Sequence, residues 1–239
     1  MRERPLVTHV IFDFDGLLVD TEPSYTLANE AMLKKFNRKF TMDHKLNMMG
    51  RKSMEAIAWL LEEVGISDRV TPEEYAVEYD EMLAHLFRQC RSLPGAERLV
   101  RHFASKGVPM AICTGSCSRA FAQKAESHRD WLDLIPVQVM SGDDEKIKRG
   151  KPFPDAFLET MRRSILFKFR FPELPSDPSH ILVFEDAPNG VKAASAAGMQ
   201  CVMVPDKMFR DEAKLLSVDK VLGSLEEFKP EEFGLPAFD

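Results

Sequence analysis

From Gly95 onward the chain repeats one pattern, an amphipathic stretch of helical period followed by a short run apolar at nearly every position. Helix 95–105 leads to strand 108–113, helix 118–125 to strand 137–140, helix 154–165 to strand 181–184 and helix 190–197 to strand 201–204, with a short closing strand at 220–222. Strands that are apolar throughout are buried on both faces, and strands joined through helices run parallel. The expected fold class is therefore α/β, a doubly wound parallel sheet covered on both sides. Such a sheet receives its ligands outside the carboxyl ends of the strands.

One more strand of this character spans 7–14, and beyond it the chain changes. Between Glu22 and Cys90 there is little strand signal. Amphipathic helices succeed one another instead: 23–36, with Thr21 as cap and Pro23 in the first turn; 53–64, stopping at Gly65; and a run opened by Thr71-Pro72-Glu73-Glu74 that continues to Phe87. About seventy residues of helix is far more than a crossover between strands needs. The stretch reads as an inserted helical-bundle cap domain, residues 21–90, within a core made of 1–20 and 91–239.

The strand ends carry the chemistry. In Val10-Ile11-Phe12-Asp13-Phe14-Asp15-Gly16 two acids close an apolar run, and Gly16 lets the backbone turn and approach a ligand. Two like charges this close repel, and Mg²⁺, a hard ion that accepts a few carboxylates and substrate phosphate, resolves the conflict. The competing reading is a pair of acids on a solvated turn. After the strand at 108–113 comes Thr114-Gly115-Ser116, a hydroxyl and exposed backbone N–H groups suited to a phosphate oxygen, or an ordinary turn with Ser116 or Ser118 as helix cap. Gly150-Lys151-Pro152-Phe153-Pro154-Asp155 holds one lysine in a loop stiffened by two prolines. Glu185-Asp186, after the strand at 181–184, is a second acid pair, which alone could cap the following helix. Acids, a hydroxyl and a lysine at separate strand ends are what a phosphoryl-transfer site needs.

Composition narrows the partners. A net charge of −6 argues against a nucleic-acid or anionic-membrane surface and leaves a small phosphorylated metabolite, for which one metal ion and one lysine reverse the local field. Cys90, Cys113, Cys117 and Cys201 lack metal-type pairing, so reduced thiols in a cytoplasmic protein are expected. Residues 1–5 do not read as a signal peptide, no apolar run reaches membrane-spanning length, and a monomer is the expected state.

Taken together, these motifs resemble those of the haloacid dehalogenase superfamily, in the subgroup with a helical cap inserted after the first strand. The resemblance implies that Asp13 is the nucleophile, Asp15 the general acid/base, and Thr114 with Gly115 the phosphate-binding segment. It makes Lys151 the charge-neutralising lysine and Asp186 a Mg²⁺ ligand supported by Glu185, with the Asp13 carboxylate and the Asp15 backbone carbonyl completing the metal site. The implied reaction is hydrolysis of a phosphomonoester through an aspartyl-phosphate. Asp15 must carry a proton for the first step, so a raised pKa is expected there. An acid at this position also favours phosphate esters over halides, which depart without a proton.

A narrower resemblance, to animal pseudouridine-5′-phosphatases and their near relatives, rests on Asp13 to Glu22, Met49-Gly50-Arg51-Lys52, Gly150-Lys151-Pro152, Phe184 to Val191 and Phe233-Gly234-Leu235-Pro236. It departs at 165–179, where Phe167, Phe169 and Phe171 make an unusually aromatic connection. Substrate choice is expected from the cap, through Gly50, Arg51, Lys52 and Glu22. Pseudouridine 5′-monophosphate and a glycerol or polyol phosphate are both open as substrates. A phosphosugar mutase with the same core, and a non-catalytic phosphate-binding module, are the rival readings.

Overall fold

In the computed structural model, which describes residues 5–48, 53–166, 177–206 and 209–239, the apolar runs pair into one six-stranded sheet. Its strands are β1 (His9–Phe12), β2 (Met110–Thr114), β3 (Val137–Met140), β4 (Ile181–Glu185), β5 (Gln200–Met203) and β6 (Lys220–Val221). Every pairing is parallel, in the order β3-β2-β1-β4-β5-β6. The chain winds outward from β1 to β3, then returns to the other side of β1 to build β4, β5 and β6. The order reverses between β1 and β4, and at such a reversal doubly wound sheets receive ligands beyond the carboxyl ends of their strands.

Alternation along the strands divides the core. Ile11, Ala111, Cys113, Val137, Val183 and Cys201 face one layer, packed with Phe157 of helix α8 (Asp155–Leu166) and Val191 of α9 (Pro188–Ala196). Phe12 and Phe184 are stacked with ring centroids 5.1 Å apart, and they meet Phe103 of α5 (Ala96–Ser105) and Phe228. Both faces of the sheet are thereby removed from water.

The chain divides into two compact units, Met1–Asp20 with Arg91–Asp239, and Thr21–Cys90. The second is helical, with α1 (Glu22–Lys34), α2 (Met42–Met48), α3 (Ser53–Glu63) and α4 (Pro72–Phe87). Helices α1 and α3 both pack on α4, burying Met32, Leu33, Leu60, Leu61, Tyr75 and Leu83. Thr71 and Glu74 form a reciprocal capping box at the start of α4. Thr21 behaves otherwise than expected: it stands at the cap position of α1 in helical conformation, and its buried hydroxyl makes no capping bond. Helix α2 buries none of its residues and so has no apolar stripe for periodicity to reveal.

The expected strand at 7–14 is shorter because the chain leaves the sheet after Phe12. Gly16 adopts φ +78° and donates its N–H to the Val19 carbonyl at 2.9 Å, folding 14–19 into a tight turn. The connection at 165–179 falls largely on 167–176, outside the described residues, as do Gly50, Arg51 and Lys52. No helix among the described residues is long and apolar enough to cross a membrane, and none of the four cysteines is in a disulfide.

Helix α8 is braced by Glu159, which accepts from Arg162 twice at 2.6 Å and from Arg163 at 2.8 Å. These hydrogen bonds, Arg162 foremost, pull the Glu159 carboxyl from its ordinary 4.5 to about 2. A depressed acid stabilises the fold above its unfolded pKa, and the contribution is lost as pH falls through the folded value. Glu159→Gln should therefore lower stability by about 1 kcal/mol at neutral pH. In urea unfolding, the gap between variant and parent should narrow below pH 4.5 and close near pH 2.

Candidate active site at the strand ends

Strands β2, β1 and β4 are neighbours, so their carboxyl ends bring Thr114, Asp13 and Glu185 side by side. The Asp13 N–H donates to the Phe184 carbonyl at 2.9 Å, continuing the β1–β4 ladder by one step. Carboxylate oxygens of Asp13, Glu185 and Asp186 then lie within 4.8 Å of one another. Lys151 enters from the loop before α8 and places Nζ 2.5 Å from Asp13 Oδ1, 2.6 Å from Glu185 Oε1 and 3.1 Å from the Cys113 carbonyl. The loop is fixed locally by Arg149, which pairs with Asp155 at 2.9 Å and lies over the Phe153 ring.

Three acids against one ammonium leave an excess of negative charge in a dry place. Burial, then the charges of Glu185 and Asp15, push the Asp13 carboxyl up to about 7 against the pull of Lys151. Asp186 is raised well above the carboxylate range by burial and by repulsion from Asp13 and Glu185. Burial works to lower Lys151, but Asp13 and Glu185 prevail and hold its ammonium well above the ordinary lysine value. The cluster fits a divalent cation: its donors are hard oxygens, and its unfavourable self-repulsion is what such an ion relieves.

Glycine makes the close packing of acids feasible. A methyl group on Gly16 would overlap Asp186 Oδ2, and one on Gly190 would overlap the whole Glu185 carboxylate. Gly190→Ala should displace Glu185 from Lys151 and cost about 1–3 kcal/mol of stability. Thermal unfolding checks this, and an unchanged midpoint would mean that the carboxylate yields freely. Gly115, by contrast, has open space where a side chain would stand.

Asp13 and Asp15 point to different partners. Asp15 Oδ2 accepts from the hydroxyls of Thr114 and Ser116, both at 2.8 Å, and Oδ1 accepts from Lys124 at 2.5 Å. The Asp15 side chain is thus not part of the three-carboxylate cluster. The raised pKa expected for Asp15 is corrected here: burial does raise it, but the Lys124 charge and hydrogen bonds from Lys124, Ser116 and Thr114 prevail, and the carboxyl is lowered.

The turn after β2 also differs from expectation in its capping. Neither Ser116 nor Ser118 caps helix α6 (Ser118–Ala125), which is followed by the short α7 (Arg129–Leu132); Asp143, from the turn after β3, accepts from the Ser118 N–H and hydroxyl at 3.0 Å. Ser116 N–H donates to Thr114 Oγ1 at 3.0 Å. Glu185 Oε2 accepts from the N–H groups of Asp186 and Ala187 at 3.2 and 3.4 Å, bracing the turn before α9. Glu22, in the helical unit, is paired with Lys45 at 3.0 Å.

The sequence reading missed Lys124. A lysine on a short helix is ordinarily solvated, but Lys124 shares the inward stripe of α6 with Phe121 and Ala125. Its place three residues after Phe121 was the available signal.

The family described as haloacid dehalogenase-like hydrolase matches residues 10–204. The chain is 47% identical over 235 residues to (DL)-glycerol-3-phosphatase 1, mitochondrial, of Arabidopsis thaliana, covering 98% of this chain and 76% of that protein. To the probable pseudouridine-5′-phosphatase of Drosophila melanogaster it is 40% identical, over 97% of this chain and 96% of that protein. Among solved structures, a HAD family hydrolase from Deinococcus radiodurans with bound phosphate and sodium superposes with a TM-score of 0.75. That match covers 97% of this chain and 99% of the other at 22% identity, a likeness of fold.

Proposed function

We propose that this chain, which belongs to the haloacid dehalogenase-like hydrolase family, is a phosphomonoester hydrolase acting on small phosphorylated metabolites. The observation that carries this reading is the meeting of Asp13, Lys151, Glu185 and Asp186 in one largely buried cluster at the sheet's reversal point. Asp13 is the nucleophile. Its carboxylate attacks phosphorus, the ester P–O bond breaks, and an aspartyl-phosphate forms. As the anionic ester displaces the Thr114 and Ser116 hydroxyls that hold its charge, Asp15 takes up a proton from solvent, gives it to the departing alkoxide, then takes one from the water that attacks the intermediate and releases phosphate. Lys151 offsets charge as an anionic nucleophile meets an anionic ester. Thr114 and the backbone at Gly115 receive the phosphoryl oxygens as the bond between Thr114 and Asp15 is given up.

Asp13, Asp186, Glu185 and the Asp15 backbone carbonyl would hold a divalent cation, and Mg²⁺ suits an all-oxygen set of this kind. When bound, such an ion supplies further neutralisation of the phosphoryl charge. Selection of the leaving group is assigned to the helical unit as a cap, with Gly50, Arg51, Lys52 and Glu22 as its candidate contacts. Four thiols outside any disulfide support a reducing, cytoplasmic setting. The activities for which the two relatives are named put glycerol 3-phosphate and pseudouridine 5′-monophosphate first among substrates.

A panel of these two esters with uridine monophosphate, flavin mononucleotide and hexose phosphates, assayed for phosphate release with Mg²⁺, tests the reading. Turnover of at least one, lost on chelation and restored by Mg²⁺, is the expected result. No release from any, with metal still bound, would make the chain a binding module. Isomerisation of a β-hexose 1-phosphate in the presence of a bisphosphate primer, without phosphate release, would make it a mutase.

A further inference from the structure

The Lys124 side chain is fully buried, yet its ammonium is directed at one oxygen of a residue whose own side chain is a quarter exposed, 25%. Burying an ammonium costs several kcal/mol, and an apolar residue would fill the same stripe of α6 without that cost. The two oxygens of Asp15 are held by different kinds of donor. Oδ2 takes the hydroxyls of Thr114 and Ser116, which lie in the turn proposed to receive the phosphoryl group. Oδ1 takes Lys124, which also donates to Ser116 Oγ at 2.8 Å from behind the turn, on a helix. An arriving phosphoryl group competes for the hydroxyls and cannot displace the lysine.

We propose that Lys124 is a positioning residue for Asp15, holding Oδ1 in place so that Oδ2, released by the hydroxyls, is presented to the ester oxygen. This rests on the proposed role of Asp15 in proton transfer. Without Lys124 the carboxylate keeps only donors that the substrate removes, and it then turns freely about its side-chain bonds. The effect falls on steps in which Asp15 moves a proton, and not on attack by Asp13.

Leaving groups separate these steps. p-Nitrophenolate departs without a proton, whereas the alkoxide of glycerol 3-phosphate needs one. In single-turnover experiments Lys124→Met should slow phosphoenzyme formation from the alkyl ester by about 10²-fold, the scale of a misplaced catalytic group. Formation from p-nitrophenyl phosphate should change by less than about threefold, with KM for either ester moving less than kcat. Lys124→Arg, which keeps the cation, should recover much of the loss. An equal loss for both leaving groups, a loss carried mainly by KM, or no loss would overturn the proposal. Lys124→Gln, neutral and still a donor, carries the same comparison if the methionine variant does not fold. Should the unaltered chain release phosphate from neither ester, the underlying hydrolase reading fails instead, and the two failures are told apart.

Discussion

Asp13→Asn is expected to abolish phosphate release, by at least about 10³-fold, in a protein that folds as well as its parent. The carboxylate is buried, and its pKa is pushed up to about 7 by burial and by its acidic neighbours, so its charge does not stabilise the fold. An amide of the same shape relieves that repulsion, and Lys151 keeps Glu185 at 2.6 Å as partner. What the amide lacks is the nucleophilic oxygen. Phosphate release with the preferred ester and thermal unfolding, measured together, check both halves. Appreciable residual turnover would refute the nucleophile assignment, and a large fall in the unfolding midpoint would refute the electrostatic account.

Lys151→Met has the second largest expected effect, and here activity and stability fall together. The ammonium serves Asp13, Glu185 and the Cys113 carbonyl at once and lies 5.0 Å from the centre of the Phe157 ring. Its removal leaves two buried acids and the half-buried Asp186 facing one another. Breaking a buried pair from one side costs about 3–5 kcal/mol, and loss of an electrostatic stabiliser at a reacting phosphoryl group costs about 10²–10³-fold in kcat. A divalent cation should recover part of the stability and little of the rate. Unfolding of variant and parent in chelator and in Mg²⁺, with kcat under the latter, measures each term. Unchanged stability in chelator would show that the acids were not in conflict.

How legible all this was in the sequence depends on the range of the interactions concerned. Strands such as 137–140 and 181–184 were readable because continuous apolar runs have few other uses, and parallel pairing followed from the intervening helices. Asp13, Thr114, Glu185 and Asp186 were readable as candidates because each stands at or beside a strand end, and Lys151 because two prolines stiffen the loop that carries it. Lys124 was not, since nothing local says that a lysine on α6 turns inward toward an acid more than a hundred residues earlier in the chain. A raised pKa for Asp15 was expected from the proton that it must give to the leaving group, and the opposing charge of Lys124 is not visible near it in the sequence. The capping by Asp143 and the need for glycine at 190 were hidden for the same reason, being contacts of tertiary origin.

The proposed reaction stands or falls on transfer of the phosphoryl group to Asp13. Rapid acid quench during turnover, followed by mass analysis of intact and fragmented chain, tests it most directly, because an acyl phosphate survives acid long enough to be mapped. One phosphoryl group per chain is expected on the peptide containing Asp13, and none in Asp13→Asn. A phosphoryl group mapped to another residue, or undiminished turnover in Asp13→Asn with no adduct, would contradict it.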